Sequence, residues 1–400
     1  MKTIALAWRY LWSRPLGAAL NLLLLSLGLA SITFLLLVNH QLNRAFDRDL
    51  TGIDAVVGAK GSPMQLILSG VFHIDVPPGN VPLKAVQALR AHPLVAQVIP
   101  ISLGDNFRGF RIVGTSHDYI THYQATLAQG VLWNAPMQVV LGAAVAKKMG
   151  MVLGDTFAGS HGLGAGGHVH GDSTYTVRGI LAPSGSVLDR LILTDTASVW
   201  KVHEDYTAVD DEDRKIMEEE REVTLALVRY KTPMAAMTFP RYINTSTEMQ
   251  AAAPALEITR LLNMLGVGTD VLRAFAGVLL LTAGLSVFIA LWSAVRERRG
   301  DLALLRMLGA PPRRVAALLL SEALWLGLLA AVLGLAVGQA LTAALGWMLQ
   351  LDQSLLIGGM VWPAELVLVP VLALGVSLAA AILPALGAYR VSVLELLQSR

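Results

Sequence analysis

A glycine-rich segment carries the side chains best suited to chemistry in this 400-residue chain, and it reads His161-Gly-Leu-Gly-Ala-Gly-Gly-His168-Val-His170-Gly-Asp172. His168 and His170 are two residues apart, so on an extended strand they share one face. Neutral imidazoles with a carboxylate suit Zn²⁺ or another borderline divalent cation, and His161 could reach back over the turn. We predict a metal site here. A mobile glycine hairpin and direct contact with a partner remain the alternatives.

A second group of side chains is suited to binding a protein rather than to catalysis. We expect Asp301 to cap a short helix that has one apolar leucine face and stops at Gly309. Such a helix can dock in a groove of a cytosolic partner. The alternative is a loop whose arginines only set the topology. The predicted contact residues are Arg296, Glu297, Arg298, Arg299, Asp301, Leu304, Leu305, Arg306, Leu308 and Gly309.

Several catalytic motifs are missing from the sequence. It contains no G-x-x-x-x-G-K-[ST] phosphate loop, no G-x-S-x-G and no H-E-x-x-H. It also has no cysteine, which excludes disulfides and thiolate metal sites. We therefore expect a non-catalytic subunit without a resident cofactor, apart from the zinc considered above. ATP and Mg²⁺ would be bound by a separate chain.

Long apolar runs organise the chain, whose hydrophobic fraction is 54%. A helix needs about 20 apolar residues to cross about 30 Å of hydrocarbon. We predict membrane-spanning helices at residues 16–38, 271–295, 315–349 and 363–386. The first run is too long for the apolar part of a signal peptide, and no cleavage site follows it.

Two polar residues fall inside these predicted spans. A charge at Glu322 is costly in a bilayer. Its carboxylate either takes part in coupling or helix pairing, or reaches back to the nearby cytoplasmic surface. Asn21 is more typical of a hydrogen bond between helices than of a binding site.

Basic residues next to the spans predict the orientation. They are concentrated in an interfacial helix at residues 1–15, in the loop 296–314 and in the tail 387–400, whereas the loop 350–362 has no Lys or Arg. Both termini and the loop 296–314 should then be cytoplasmic. The long segment 39–270 would lie outside the membrane.

The outer segment has the alternating pattern of an α+β domain. We predict amphipathic stalk helices at Val38–Leu50 and Pro254–Arg273, which continue into the membrane. The fold class is therefore an α-helical membrane protein with four transmembrane helices, plus an α+β extracytoplasmic domain between helices 1 and 2. Its predicted strands are 53–58, 95–101, 110–114, 138–141, 174–182, 191–194 and 223–230, and its predicted helices are 82–91, 143–149 and 196–204.

Three segments resemble one family. The loop Arg296-Glu-Arg-Arg…Leu304-Leu-Arg-Met-Leu-Gly-Ala310 is similar to the R-R-x-E-I-(x)-L-R-x-L-G-A loop of MacB/FtsX/LolC-type ABC transporter permeases. The end of the chain, Leu383 to Leu397, resembles the tail of that family, although Val393 stands where proline is usual. Residues 139–181 resemble its MacB-like periplasmic core domain.

This resemblance implies a mechanism, partners and a location. Such permeases pair as dimers with cytosolic ABC ATPases, the loop 296–314 is the coupling helix, and motion passes through the stalks to the outer domain. We expect a multi-pass protein of the bacterial inner membrane that exports or extracts a peptide, a lipoprotein or a metal-linked factor. A homodimer and a periplasmic adaptor or binding protein fit this expectation, and a nucleic-acid partner does not. The alternatives are a transducer that activates a periplasmic enzyme, and a metal-binding sensor.

Overall fold

A computed structural model describes residues 3–13, 15–161, 169–207, 217–218, 220–351 and 360–389. The chain folds as two units. We name Met1–Leu42 together with Met264–Arg400 the membrane unit, and Asn43–Asn263 the outer domain.

Along the chain, a segment in which strands alternate with short helices lies between two groups of helices. The described α-helices are α1 (Thr3–Leu11), α2 (Pro15–Leu50), α3 (Pro63–Gly70), α4 (Leu83–Arg90), α5 (His117–His122), α6 (Ala143–Met149), α7 (Thr196–Thr207), α8 (Ala235–Ser246), α9 (Pro254–Glu297), α10 (Arg299–Met307), α11 (Pro312–Leu351) and α12 (Leu368–Tyr389). The described strands are β1 (Ala55–Ala59), β2 (Val81–Pro82), β3 (Val95–Phe107), β4 (Phe110–Thr115), β5 (Leu127–Gly130), β6 (Gln138–Leu141), β7 (Thr156–His161), β8 (Val169–Leu181), β9 (Ile192–Asp195), β10 (Glu222–Val223), β11 (Leu225–Tyr230) and β12 (Met249–Ala252). Short 3₁₀ helices occur at Val187–Arg190 and Ala364–Val367.

Four of the described helices, α2, α9, α11 and α12, are long and apolar enough to cross a membrane. Helix α2 has 36 residues and α9 has 44. At about 1.5 Å per residue they are roughly 54 and 66 Å long, well above the ~30 Å of a hydrocarbon core. Both helices are therefore longer than one crossing of a bilayer requires.

Small residues let the membrane helices approach each other closely. Gly334 and Gly338 form a G-x-x-x-G pair on α11 that faces α2, where a Cβ on either glycine would collide with Leu29 or Thr33. Without those side chains the two backbones pack directly against each other, which is the main source of helix association in lipid.

The outer domain is built on a ten-stranded mixed sheet with the strand order β12-β1-β11-β3-β4-β9-β6-β8-β5, and β7 pairs with β3 and β8. Most neighbours are antiparallel, whereas β4 pairs with β9 and β6 pairs with β8 in parallel. One apolar cluster joins α4 and α8 to the β1–β11 side, and another lies around β4, β6 and β8. Since the chain has no disulfides, these clusters supply most of the stability.

The sequence predicted some elements of the outer domain and missed others. The predicted strand 138–141 and helix 143–149 agree with β6 and α6. The strand predicted at 174–182 begins earlier, at Val169 in β8. Helices α3, α5 and α8 and the strands β2, β5, β7 and β12 were not predicted. Strand β5 is mostly exposed, so it lacks the alternating apolar pattern from which a strand is predicted.

Candidate functional site

The predicted binding helix forms as α10, but it starts earlier than the sequence indicated. The helix begins at Arg299 with Arg298 as its N-cap, so the prediction that Asp301 caps the helix is wrong. Asp301 lies in the first turn instead, where a carboxylate still interacts favourably with the helix dipole. The helix stops where predicted. Gly309 has a φ of 91°, a conformation that favours glycine.

The leucines of the predicted apolar face differ in burial, so only part of that face is open to a partner. Leu302 is buried in the membrane unit and is 3% exposed, while Leu305 is half-buried. Leu304, Met307 and Leu308 are 55%, 53% and 84% exposed. A short helix between two spans has to pack inward with some of its apolar residues. We name the exposed residues Leu304, Met307 and Leu308 the α10 patch.

Arg298 ties the start of this loop to the rest of the membrane unit. Its Nη1 donates to Glu322 Oε1 of α11 at 3.2 Å. Its Nη2 donates to the Tyr10 carbonyl oxygen at 3.1 Å and to Ser13 Oγ at 2.7 Å. The guanidinium also lies 4.5 Å from the centre of the Tyr10 ring, within the range of a cation–π contact. Four contacts from three residues therefore hold this one side chain.

Glu322 therefore takes part in helix pairing. It is 4% exposed, whereas a carboxylate that reached the surface would be solvated, so that alternative is wrong. A buried charge is tolerated when it is paired and hydrogen-bonded. Asn21 also joins helices, because its Oδ1 accepts a hydrogen bond from Ser286 Oγ of α9 at 2.6 Å. A cavity of about 310 Å³ lies beside Asn21, Arg298 and Glu322.

The other predicted contact residues are spread around the loop. Arg296 lies 5.8 Å from the ring centre of Trp292. Glu297 is exposed and Arg306 is half-buried. The side chain of Arg299 lies outside the described part of the structure.

The predicted metal ligands cannot be placed. His168 lies outside the described residues, and so do the side chains of His161, His170 and Asp172. The main chain pairs Ser160 of β7 with Val169 of β8 in an antiparallel hairpin. Within the described ranges, no group of three or more His, Cys, Asp or Glu side chains is placed to hold a metal ion. Zinc binding stays a prediction, which titration of the full chain with Zn²⁺ against its H168A/H170A variant would test.

Sequence reasoning missed the part played by the N-terminal helix. It predicted only an interfacial helix at residues 1–15, whereas the structure places Tyr10 of that helix against Arg298. Trp8 of α1 also packs on Trp325 of α11, with ring centres 5.0 Å apart. No local spacing could have joined residues that lie 288 positions apart in sequence.

Two regions of the chain match known families. Residues 18–257 match the MacB-like periplasmic core domain, which is more than half of the chain. Residues 273–393 match the C-terminal region of FtsX-like permeases. The chain belongs to the MacB/FtsX-like family of ABC transporter permeases. The resemblance noted in the sequence is confirmed, and the permease carries its outer domain between the first and second of its four candidate membrane helices.

Proteins similar to the permease include one curated protein and two solved domains. The pyoverdine export ATP-binding/permease protein PvdT of Pseudomonas putida is 24% identical over 371 residues, which is 86% of this chain and 53% of that protein. The permease thus spans about half the length of this relative. The periplasmic region of MacB from Actinobacillus actinomycetemcomitans is 12% identical, with a TM-score of 0.35 over 54% of this chain and 96% of that one. The extracellular domain of YknZ from Gram-positive bacteria is also 12% identical, with a TM-score of 0.31 over 49% and 97%.

Proposed function

We propose that this permease passes work from a cytosolic ABC ATPase to its outer domain through the continuous helices α2 and α9. The observation that carries the proposal is the α10 patch. It places three exposed apolar side chains, Leu304, Met307 and Leu308, on a short helix between two candidate membrane helices. A small apolar surface at this position suits insertion into a groove of a partner protein.

The charges around the patch support a cytoplasmic position. Arg296, Arg298, Arg299, Arg306, Arg313 and Arg314 lie in or beside this loop. Short loops rich in arginine stay on the cytoplasmic side. Both termini would then be cytoplasmic as well, and the outer domain would lie in the periplasm of an inner-membrane protein.

The direction of transport is inferred from the Pseudomonas putida relative, whose name describes export. We propose that the permease works as a dimer of two copies, each bound to an ATPase chain. Movement of the outer domains would expel or extract a substrate reached from the periplasm or the membrane. Peptides, lipoproteins and metal-linked factors are the candidate substrates.

The absence of cysteine allows a direct test of the docking surface. A Leu304→Cys variant of the full chain carries a single thiol, to which a photoactivatable crosslinker is attached in cells of the source organism. We expect a crosslinked protein that contains the G-x-x-x-x-G-K-[ST] phosphate loop, identified by mass spectrometry. A crosslinked product without any nucleotide-binding protein would overturn the assignment of α10.

A matched control separates specific docking from nonspecific binding by an exposed apolar residue. Val152 is 58% exposed in the outer domain, close to the 55% of Leu304. The thiol in Val152→Cys should not capture the ATPase. In the same way, L304D/L308D should lose the ATPase on purification while its melting temperature stays that of the wild type, and V152D should keep the ATPase.

A further inference from the structure

The end of α2 is fixed inside the outer domain by a buried carboxylate. Asp49 is 3% exposed, although it lies one residue before the end of the helix. Its Oδ1 accepts a hydrogen bond from the main-chain N–H of Val187 at 3.1 Å and from Arg48 Nε at 3.4 Å. Since a buried N–H and a buried carboxylate are both costly to leave without partners, this contact holds α2 against the 3₁₀ helix that contains Val187.

Two tyrosines of the α5 segment complete the enclosure. The Tyr123 hydroxyl donates to the carbonyl oxygen of Asp49 at 2.8 Å. Tyr119 is fully buried, and its hydroxyl lies 2.9 Å from His73 Nε2. Burial raises the pKa of both tyrosines, so both hydroxyls stay protonated and able to donate. Phe46 adds an apolar contact one turn earlier, with its ring centre 5.2 Å from that of Phe72.

The loop that receives Asp49 is itself rigid. The Asp189 carboxylate accepts hydrogen bonds from the N–H and the hydroxyl of Ser184, both at 2.9 Å, and from the Gly185 N–H at 2.7 Å. The loop also packs directly onto the main chain at Gly142, where any Cβ would collide with Leu188 and Asp189. A displacement of α2 would therefore have to move the loop as a body.

Helix α9 has no comparable anchor among the described residues of the outer domain. Between residues 254 and 263 the buried residues are Pro254 and Ile258, and Leu256 is 64% exposed. The ion pair of Glu257 with Arg260, at 2.7 Å, lies within the helix itself. Among the described side chains of residues 254–263, none makes a hydrogen bond or an ion pair to another element of the outer domain.

The two long helices also differ in glycine content near the outer domain. Helix α9 contains Gly266 and Gly268, and each has open space where a side chain would be. Each glycine weakens a helix by about 1 kcal/mol relative to alanine. The corresponding part of α2, residues 39–50, contains neither Gly nor Pro.

We propose that α2 is the rigid arm that carries force into the outer domain, that Asp49 and Tyr123 are the positioning residues that join it there, and that α9 is a compliant tether. The inference rests on the proposed function and narrows it: of the two long helices, α2 would carry the force into the outer domain and α9 would carry little of it. It predicts that the two helices respond differently to the same load.

Distances between pairs of engineered spin labels test how firmly α2 is fixed in the outer domain. The full chain is reconstituted in nanodiscs without an ATPase. The chain has no native cysteine, and Arg44 of α2, Thr259 of α9 and Gln87 of α4 are exposed. We expect a narrow distance distribution for the 44–87 pair and a wider one for 259–87. In Y123F and in D49A, the 44–87 distribution should become about twofold wider, while the 259–87 distribution should not change.

Each of the three parts of the proposal has a result that would overturn it. A 44–87 distribution as wide as that of 259–87 in the wild type would overturn the rigid arm. A 44–87 distribution that both variants leave unchanged would overturn the roles of Asp49 and Tyr123. The stiffened G266A/G268A variant should narrow a 259–278 pair on α9, and an unchanged width there would overturn the compliant tether. Because no ATPase is present, these results do not depend on the crosslinking result, which alone tests the proposed function.

Discussion

Two buried carboxylates, Glu322 in the membrane unit and Asp49 in the outer domain, are stabilised in different ways. They are 4% and 3% exposed. Glu322 faces the charged side chain of Arg298 at 3.2 Å. Asp49 accepts from a main-chain N–H, that of Val187, and from Arg48, whose side chain is 44% exposed.

The difference shows what each contact specifies. A pair of charged side chains can be replaced by an apolar pair of similar volume, often without loss of stability. A carboxylate that satisfies a main-chain N–H depends on one backbone conformation, and no change of the partner side chain can replace it. Glu322 thus specifies the pairing of two segments, while Asp49 specifies the position of a whole loop.

The largest effect is expected from breaking the charged pair on one side. Glu322→Ala leaves Arg298 buried without its carboxylate, which should cost about 3–5 kcal/mol. The melting temperature of the full chain in detergent would measure the loss. The double variant E322L/R298M should recover most of it. If the double variant is as unstable as E322A, the pair does not act as a replaceable unit.

A smaller loss of stability is expected where Asp49 fixes α2 in the outer domain. Asp49→Ala removes the acceptor of the Val187 N–H, at a cost of about 1–3 kcal/mol. Hydrogen exchange of the Val187 amide should accelerate accordingly, since that N–H is the donor. Asp49→Asn keeps an acceptor oxygen and should retain more of the protection. Equal protection in D49A and the wild type would show that the contact is not stabilising.

The buried residues around the end of α2 should make the stability of the outer domain depend on pH, mainly through His73. Burial lowers the pKa of His73 well below its usual 6.5, and the charges of Arg111 and Arg190 lower it further. The unfolded chain then binds a proton that the folded chain does not. Stability is therefore complete above about pH 6.5 and falls below it, by at most about 1.4 kcal/mol per pH unit.

The replacement His73→Gln provides the control for this pH dependence. Melting temperatures between pH 8 and pH 5 should decline less steeply in H73Q than in the wild type. Part of the decline should persist, because burial also lowers the pKa of His122. Parallel curves for the two proteins would refute the role of His73.

The smallest effect is expected from a single hydroxyl. Tyr123→Phe removes the donor to the Asp49 carbonyl at 2.8 Å and keeps the ring, so it should cost about 1 kcal/mol. Tyr242→Phe offers a matched control, because Tyr242 is 46% exposed and should change stability little. A loss in Y123F no larger than in Y242F would mean that the ring alone positions α2.

Local patterns in the sequence were enough to predict the long helices and the short helix α10 between two of them. The apolar runs predicted the four long helices, and the glycine at 309 ends α10 where expected. Local patterns failed where packing decides the outcome. The start of α10 and the burial of Leu302 depend on the partners of Arg298 and on the neighbouring helices, which lie outside the loop.

The sequence by itself determined how many times this chain can cross a bilayer, which loop carries its arginines and which family it resembles. Those properties depend on hydrophobicity, charge and motifs within short stretches. Only the tertiary structure decided the partners of the buried polar groups. Glu322 and Arg298 are 24 positions apart, and Asp49 and Val187 are 138 apart. Such contacts form only after helices and strands have packed, because the desolvated groups then have to find partners among whatever the fold has brought beside them.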